Sequence, residues 1–234
     1  MPKRSLVEHI TPLSTPHSPL SIHLSPLSTP HSPFTSPHFP VSLHHIPMHT
    51  LEPFYNWRHI YTSEDDPRSP FFGRDYSEFE YSQTVYNYYI HPQWDDFGSR
   101  TLYLKVLVAD YDEGYAIIEL IGEWNDAVEN DIMELKREVL EKFMYEHIHK
   151  FILIGENVLN FHSDGADYYE ELFDEVAEEN GWVVCLNMPD QTQYDFKRAH
   201  LNRYIELIEL DNWRTYKPFH LFKKIDNEQL ARLH

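Results

Sequence analysis

From residue 101 to 208, apolar runs of strand length alternate with amphipathic stretches of helix length, and this alternation restricts the fold more than anything else in the chain. Residues 101–108 and 115–121 read as two strands around the turn Asp110-Tyr111-Asp112-Glu113-Gly114. Val128, Ile132, Leu135, Val139 and Phe143 then recur at spacings of three and four, one apolar helical stripe. Asp126 with Glu129 is expected to form a capping box at its start, and Glu138 with Lys142 an i,i+4 pair on its wet side. Residues 150–154 are too uniformly apolar for a half-exposed strand. Gly155 is expected to end that strand, with an irregular stretch to Phe161.

A second helix follows, with Tyr169, Leu172, Phe173 and Val176 inward and Asn180-Gly181 as a left-handed stop. Residues 182–186 read as a strand, 193–201 as a helix and 204–208 as a last strand. Parallel neighbours need crossover helices, so the expected fold is α/β: a single sheet with an initial β-hairpin, then alternating helices and mostly parallel strands.

Charge narrows the function. The 234 residues carry a formal net charge of −19, and residues 1–50 contain only Lys3, Arg4 and Glu8. The negative charge therefore falls on the rest of the chain, which repels phosphate backbones and anionic lipid surfaces. Neither nucleic acid nor a membrane is expected as partner. No run of ~18 apolar residues exists, as a membrane-spanning helix requires. The single cysteine, Cys185, excludes an intrachain disulfide and a Cys-rich metal motif. It reads as a small buried hydrophobe. The expected compartment is the cytoplasm, with no cofactor.

Four segments are expected. Residues 1–50 hold ten of the 16 prolines, eight of the 16 histidines and no glycine, and the octapeptide at 12–19 recurs at 26–33. Proline removes donors and fixes φ, so this arm reads as disordered. Kinase sites, loose metal binding and docking of its prolines compete there with a non-functional extension upstream of a start at Met48, which is favoured. Residues 51–98 form a Tyr-rich accessory segment, with a loop at 64–70, a loose edge strand at 78–86, and Tyr86 to Trp94 packed on the main domain or lining an interface. Residues 99–210 form the α/β domain. Residues 211–234 are an aromatic C-terminal extension, with a short closing helix at 227–233.

Two short motifs carry a resemblance. Ile118-Glu119-Leu120-Ile121-Gly122-Glu123-Trp124-Asn125 leads into the first helix, and His162-Ser163-Asp164-Gly165 opens the second after Asn157-Val158-Leu159-Asn160-Phe161. With Gly181 starting the next strand, residues 101–210 resemble the STAS domain, the fold of bacterial anti-sigma-factor antagonists. The resemblance implies a non-enzymatic regulator that docks to a protein, such as an anti-sigma or kinase-like regulator. It places the regulatory and partner-binding surface at His162, Ser163, Asp164 and Gly165. The family phosphorylates the serine just before that glycine. Asp164 stands there in this chain, with Ser163 beside it and His162 in place of the family's leading aspartate. Either Ser163 takes the phosphate, or Asp164 holds the position charged with one negative charge where a phosphate carries about −1.5 to −2.

Plainer readings stand beside this one. Ser163 or Asp164 is as readily an N-cap. Glu119, Glu123, Asp126 and Asp131 flank the start of the first helix and are open to reading as a divalent-cation site; an α/β enzyme using carboxylates clustered near the strand ends is a separate alternative. A solvated acidic face is the favoured reading of the four. An acidic protein that captures a basic partner is a further alternative. His162-Ser163-Asp164 is no catalytic triad, since adjacent residues do not converge.

Overall fold

The α/β alternation produces one five-stranded sheet in the computed structural model, which describes residues 52–77 and 79–232. The strands are β3 (Leu102–Asp110), β4 (Tyr115–Asn125), β5 (Lys150–His162), β6 (Trp182–Leu186) and β7 (Glu206–Ile208), side by side in chain order. A separate two-stranded hairpin, β1 (Thr84–Val85) with β2 (Tyr88–Tyr89), precedes them. β3 and β4 are antiparallel, with Leu102 opposite Gly122 and Asp110 opposite Tyr115. β4, β5, β6 and β7 are mutually parallel. The sheet therefore has the expected arrangement, an initial β-hairpin followed by parallel strands joined through helices. The expected arm over residues 1–50 lies outside the described residues.

Sequential strand order with right-handed crossovers puts every connecting helix on the same face. These are α1 (Asp126–Glu129), α2 (Asp131–Leu135) and α3 (Glu141–Tyr145) before β5, α4 (Asp167–Glu178) before β6, and α5 (Asp190–Arg198) before β7. Leu135, Val139, Phe143, Leu172 and Phe196 pack there against Ile118, Leu120, Phe151, Leu153 and Cys185. On the opposite face, α6 (Pro218–Arg232) and the indoles of Trp57 and Trp213 cover Ile117, Ile152, Ile154, Val184 and Leu186. Successive strand residues face opposite sides. Covering both sides is why β5 and β6 read as unbroken apolar runs. A bulge between Val106 and Val108 sends Val106 to the first face and Val108 to the second.

Several local expectations give way to tertiary structure. The first helix is not continuous. Asn130 is left-handed at φ 57 and separates α1 from α2, and a π-helical turn over Lys136–Leu140 separates α2 from α3. Val128 falls outside the apolar stripe and is 70% exposed. β5 does not stop at Gly155 but continues to His162, keeping its pairing with β4 across two irregularities. Gly155 is a point of close approach instead, since a Cβ there would lie 2.8 Å from Met188 Cγ and 2.9 Å from Cys185 Sγ. After α4 it is Asn180, at φ 55, that takes the left-handed turn. Gly181 is required because a Cβ would fall 2.0 Å from the His149 carbonyl oxygen.

The segment before the sheet is tied to β3. Asp95 and Leu104 exchange backbone hydrogen bonds at 2.7 and 3.0 Å, which covers part of that edge. Lys105 lies 3.3 Å from both Asp95 and Glu64, and Arg74 3.3 Å from Asp95. The expected edge strand at 78–86 is reduced to the β1–β2 hairpin, and α6 begins at Pro218 rather than near Asn227.

Candidate docking site

The turn singled out in the sequence, His162 to Gly165, joins the carboxyl end of β5 to the start of α4. His162, Asp164 and Gly165 are exposed and Ser163 half-buried. The extension of β5 past Gly155 carries the turn beyond the end of β6, whose pairing with β5 stops at Ile154. Glu123 and Asn160 are register partners there, as are Asn125 and His162. His162 Nε2 lies 3.0 Å from Glu123 Oε1 and 2.9 Å from the Asn160 amide nitrogen. The same amide nitrogen lies 3.3 Å from Glu123 Oε1. The imidazole is thus held toward β4.

Ser163 does not cap α4. Its hydroxyl accepts from the Gly165 N–H at 3.3 Å and lies 3.4 Å from the Gly165 carbonyl, bonds that stay within the turn. Ala166 occupies the N-cap, and no side chain caps the helix. The expectation that Ser163 or Asp164 serves as N-cap is not met. The first N–H groups of α4 therefore have neither an intrahelical partner nor a side-chain cap. Gly165 has φ 151 with nothing within 4 Å of a notional Cβ. An open cleft borders the turn, lined by Val128, Phe161, His162, Ser163, Asp195 and Arg198 among others.

A buried carboxylate braces the turn from behind. Asp126 Oδ1 accepts from Trp124 Nε1 at 3.0 Å and from the Ile132 N–H at 2.9 Å, and Oδ2 accepts from the Tyr169 hydroxyl at 2.6 Å. One carboxylate thus joins the end of β4, the start of α2 and the first turn of α4. Burial raises its pKa, the three hydrogen bonds oppose the rise, and the charge of Asp164 adds to it. Burial and the Asp126 charge also push the Tyr169 hydroxyl well above its ordinary value. Asp131 accepts from the Asn125 N–H at 2.7 Å, and burial lifts it to about 6. The expected capping box is replaced: Asn125 caps α1 by accepting from the Val128 N–H at 3.1 Å.

The four carboxylates flanking the first helix neither converge nor form a solvated face. Glu119, Asp126 and Asp131 are buried. Glu119 points to the other side of the sheet, where it accepts from the Phe54 N–H at 2.8 Å. Glu123 turns to His162. Among the described residues no group of three or more His, Cys, Asp or Glu is placed to hold a metal ion, and no helix is long and apolar enough to cross a membrane. Cys185 is buried, which pushes its thiol up to about 12. Reading the sequence alone missed Asn160, Asn125 and Tyr169 as organisers of the site. The signal for Tyr169 was its place on the inward stripe of α4, which accounts for its ring but not its hydroxyl.

No protein-family model matches the chain, and no curated protein matches it in sequence. Among solved structures, the unphosphorylated anti-sigma factor antagonist SpoIIAA is similar over 53% of this chain and 96% of its own, at 11% identity and a TM-score of 0.40. The phosphorylated form of SpoIIAA from Bacillus is similar over 56% of this chain and 99% of its own, at 12% identity and a TM-score of 0.35. A putative anti-sigma factor antagonist from Thermotoga maritima is similar over 45% and 84% respectively, at 15% identity and a TM-score of 0.35.

Proposed function

We propose that this chain is a non-enzymatic cytoplasmic regulator that works by docking a protein partner, an anti-sigma or kinase-like regulator, onto the turn His162–Gly165 and the adjoining start of α4. The observation that carries the reading is an exposed polar turn whose Ser163 bonds only to Gly165 of the same turn and leaves α4 uncapped. A side chain that serves neither cap nor core is free to serve a partner. The cleft beside it adds the apolar Val128 and Phe161 and the charged Arg198 and Asp195, a mixture suited to a protein surface.

Phosphorylation of Ser163 supplies the regulation in this reading. The unpaired N–H groups and positive dipole end of α4 favour an added anion. Asp164 already places one negative charge beside them, so a second charge alters the face a partner meets without unfolding the domain. Affinity purification from the native host, with intact-mass and phosphosite analysis, tests this. The wild-type chain is expected to retain a discrete protein that Asp164→Arg loses. Repeated recovery of no protein by the wild type overturns the reading.

A further inference from the structure

The hairpin β1–β2 shows aromatic rings to solvent that the fold does not use. Tyr86, Tyr88 and Tyr89 are 55%, 67% and 65% exposed, and Phe79 nearby is 88% exposed. The hairpin itself is anchored. Val85 and Ile90 are buried with Trp94, Tyr103 and Ile121, and the Ile90 N–H bonds to the Gln83 carbonyl at 3.0 Å. A fixed base with projecting tyrosines is an arrangement that binding surfaces favour, because a tyrosine offers area, a polar tip and few rotamers to freeze.

The backbone at the tip departs from what local chemistry prefers. Tyr86 occupies the first central position of the two-residue turn at φ 54, where a β-hairpin ordinarily places glycine or asparagine. Glycine there avoids the Cβ contact that tyrosine suffers. The ring is nonetheless mostly in solvent, with its hydroxyl beside Asn160 and Glu123. These two residues also hold His162, so the hairpin and the docking turn are continuous along one edge.

Charge indicates what would lie on these rings. From Arg74 to Arg100 the sequence has no intervening lysine or arginine, and beside the buried Asp95, which Lys105 and Arg74 neutralise, it exposes Asp75, Glu80 and Asp96. Glu123 adds a carboxylate beside Tyr86. Aromatic faces next to carboxylates attract guanidinium and ammonium groups, through the ring quadrupole and through the charge.

We infer that the Tyr86–Tyr89 hairpin is a second docking surface, whose occupant is a cationic, arginine-bearing segment of a protein partner. The inference rests on the reading of this chain as a docking protein, and extends it by assigning the partner's chemistry at a different set of residues. A basic segment wrapped over the hairpin, with Tyr88 on one face and Tyr89 on the other, meets Glu123 beside Tyr86 and then the His162 turn.

The full chain is titrated with a short fluorescent peptide rich in arginine and glycine, and with its glutamate counterpart, and anisotropy is followed at low and physiological salt. The arginine peptide is expected to bind and the glutamate peptide not. Tyr88→Ser combined with Tyr89→Ser weakens binding roughly tenfold or more, whereas Tyr88→Phe with Tyr89→Phe retains it. Tyr86→Gly lowers affinity while leaving thermal stability equal or higher, which separates lost contact from lost fold. Equal affinity in the serine variant overturns the proposal, since diffuse acidity then accounts for binding. Tighter binding of the glutamate peptide overturns it too. So does self-association of the full chain that the serine variant abolishes, because the occupant is then a second copy. Failure here leaves the Asp164→Arg test of the turn intact, and the reverse holds.

Discussion

Replacing Glu119 by glutamine tests the electrostatics of this sheet. Glu119 is 2% exposed. Its Oε2 accepts from the Phe54 N–H at 2.8 Å, and its Oε1 lies 4.0 Å from Arg214 Nη2. Arg214 is engaged with Glu156 at 2.5 Å, and Glu156 presents a second negative charge to Glu119. Burial dominates over the two favourable neighbours and lifts Glu119 from its ordinary 4.5 to about 7. The folded state therefore holds this proton more tightly than the unfolded chain. The stability it contributes is fully present below about pH 4.5 and is lost as pH rises through about 7.

A carboxyl with these two values changes stability by about 2–3 kcal/mol between about pH 5 and about pH 8. Glutamine keeps the acceptor for Phe54 but does not titrate. Urea unfolding followed by tryptophan fluorescence, with Trp57 and Trp213 packed nearby, gives the free energy of each protein across that range. Asp131, near 6, acts in both proteins, and Glu156, lowered below its ordinary value, is ionised across the whole range, so the difference isolates Glu119. Glu119→Gln is expected to gain about 2–3 kcal/mol on wild type as pH rises from about 5 to about 8. Parallel curves refute the reasoning, because Glu119 is then ionised in the folded chain throughout.

Further outcomes follow from the same structure. Asp126→Ala strands the Trp124, Ile132 and Tyr169 donors and is expected to cost about 3–5 kcal/mol in urea unfolding; Tyr169→Phe costs about 1–2. Gly181→Ala meets the His149 carbonyl, a backbone atom held by the Trp182 N–H, so a fall in melting temperature well beyond that of a surface Gly→Ala is expected in a thermal scan. Cys185, buried with its thiol raised to about 12, is expected to react with a thiol reagent only at the rate of unfolding, which added urea accelerates.

The order of elements was legible because periodicity reports burial directly. Both faces of β5 and β6 are covered, so both read as apolar runs. What escaped was set by contacts distant in sequence. The outer half of β5 holds Glu156, Asn157 and Asn160, whose polarity disguises a strand that pairs with β4 to its end. Asp126 looked like a capping acid, yet its partners are an indole, a backbone N–H and the hydroxyl of Tyr169. The break at Asn130 needs a left-handed residue, which asparagine tolerates but does not announce. At the site, the turn between β5 and α4 was legible from the end of one apolar run and the start of the next amphipathic stretch, whereas the uncapped start of α4 appears only in three dimensions.

Site-specific photo-crosslinking in the native host tests the central claim most directly. A photoreactive residue at position 164 is compared with one at position 223, where Lys223 on α6 pairs with Glu113 far along the sheet from the turn. The account predicts a discrete adduct to one protein from position 164 and none from 223. A clean adduct from 223 with nothing at 164 contradicts it.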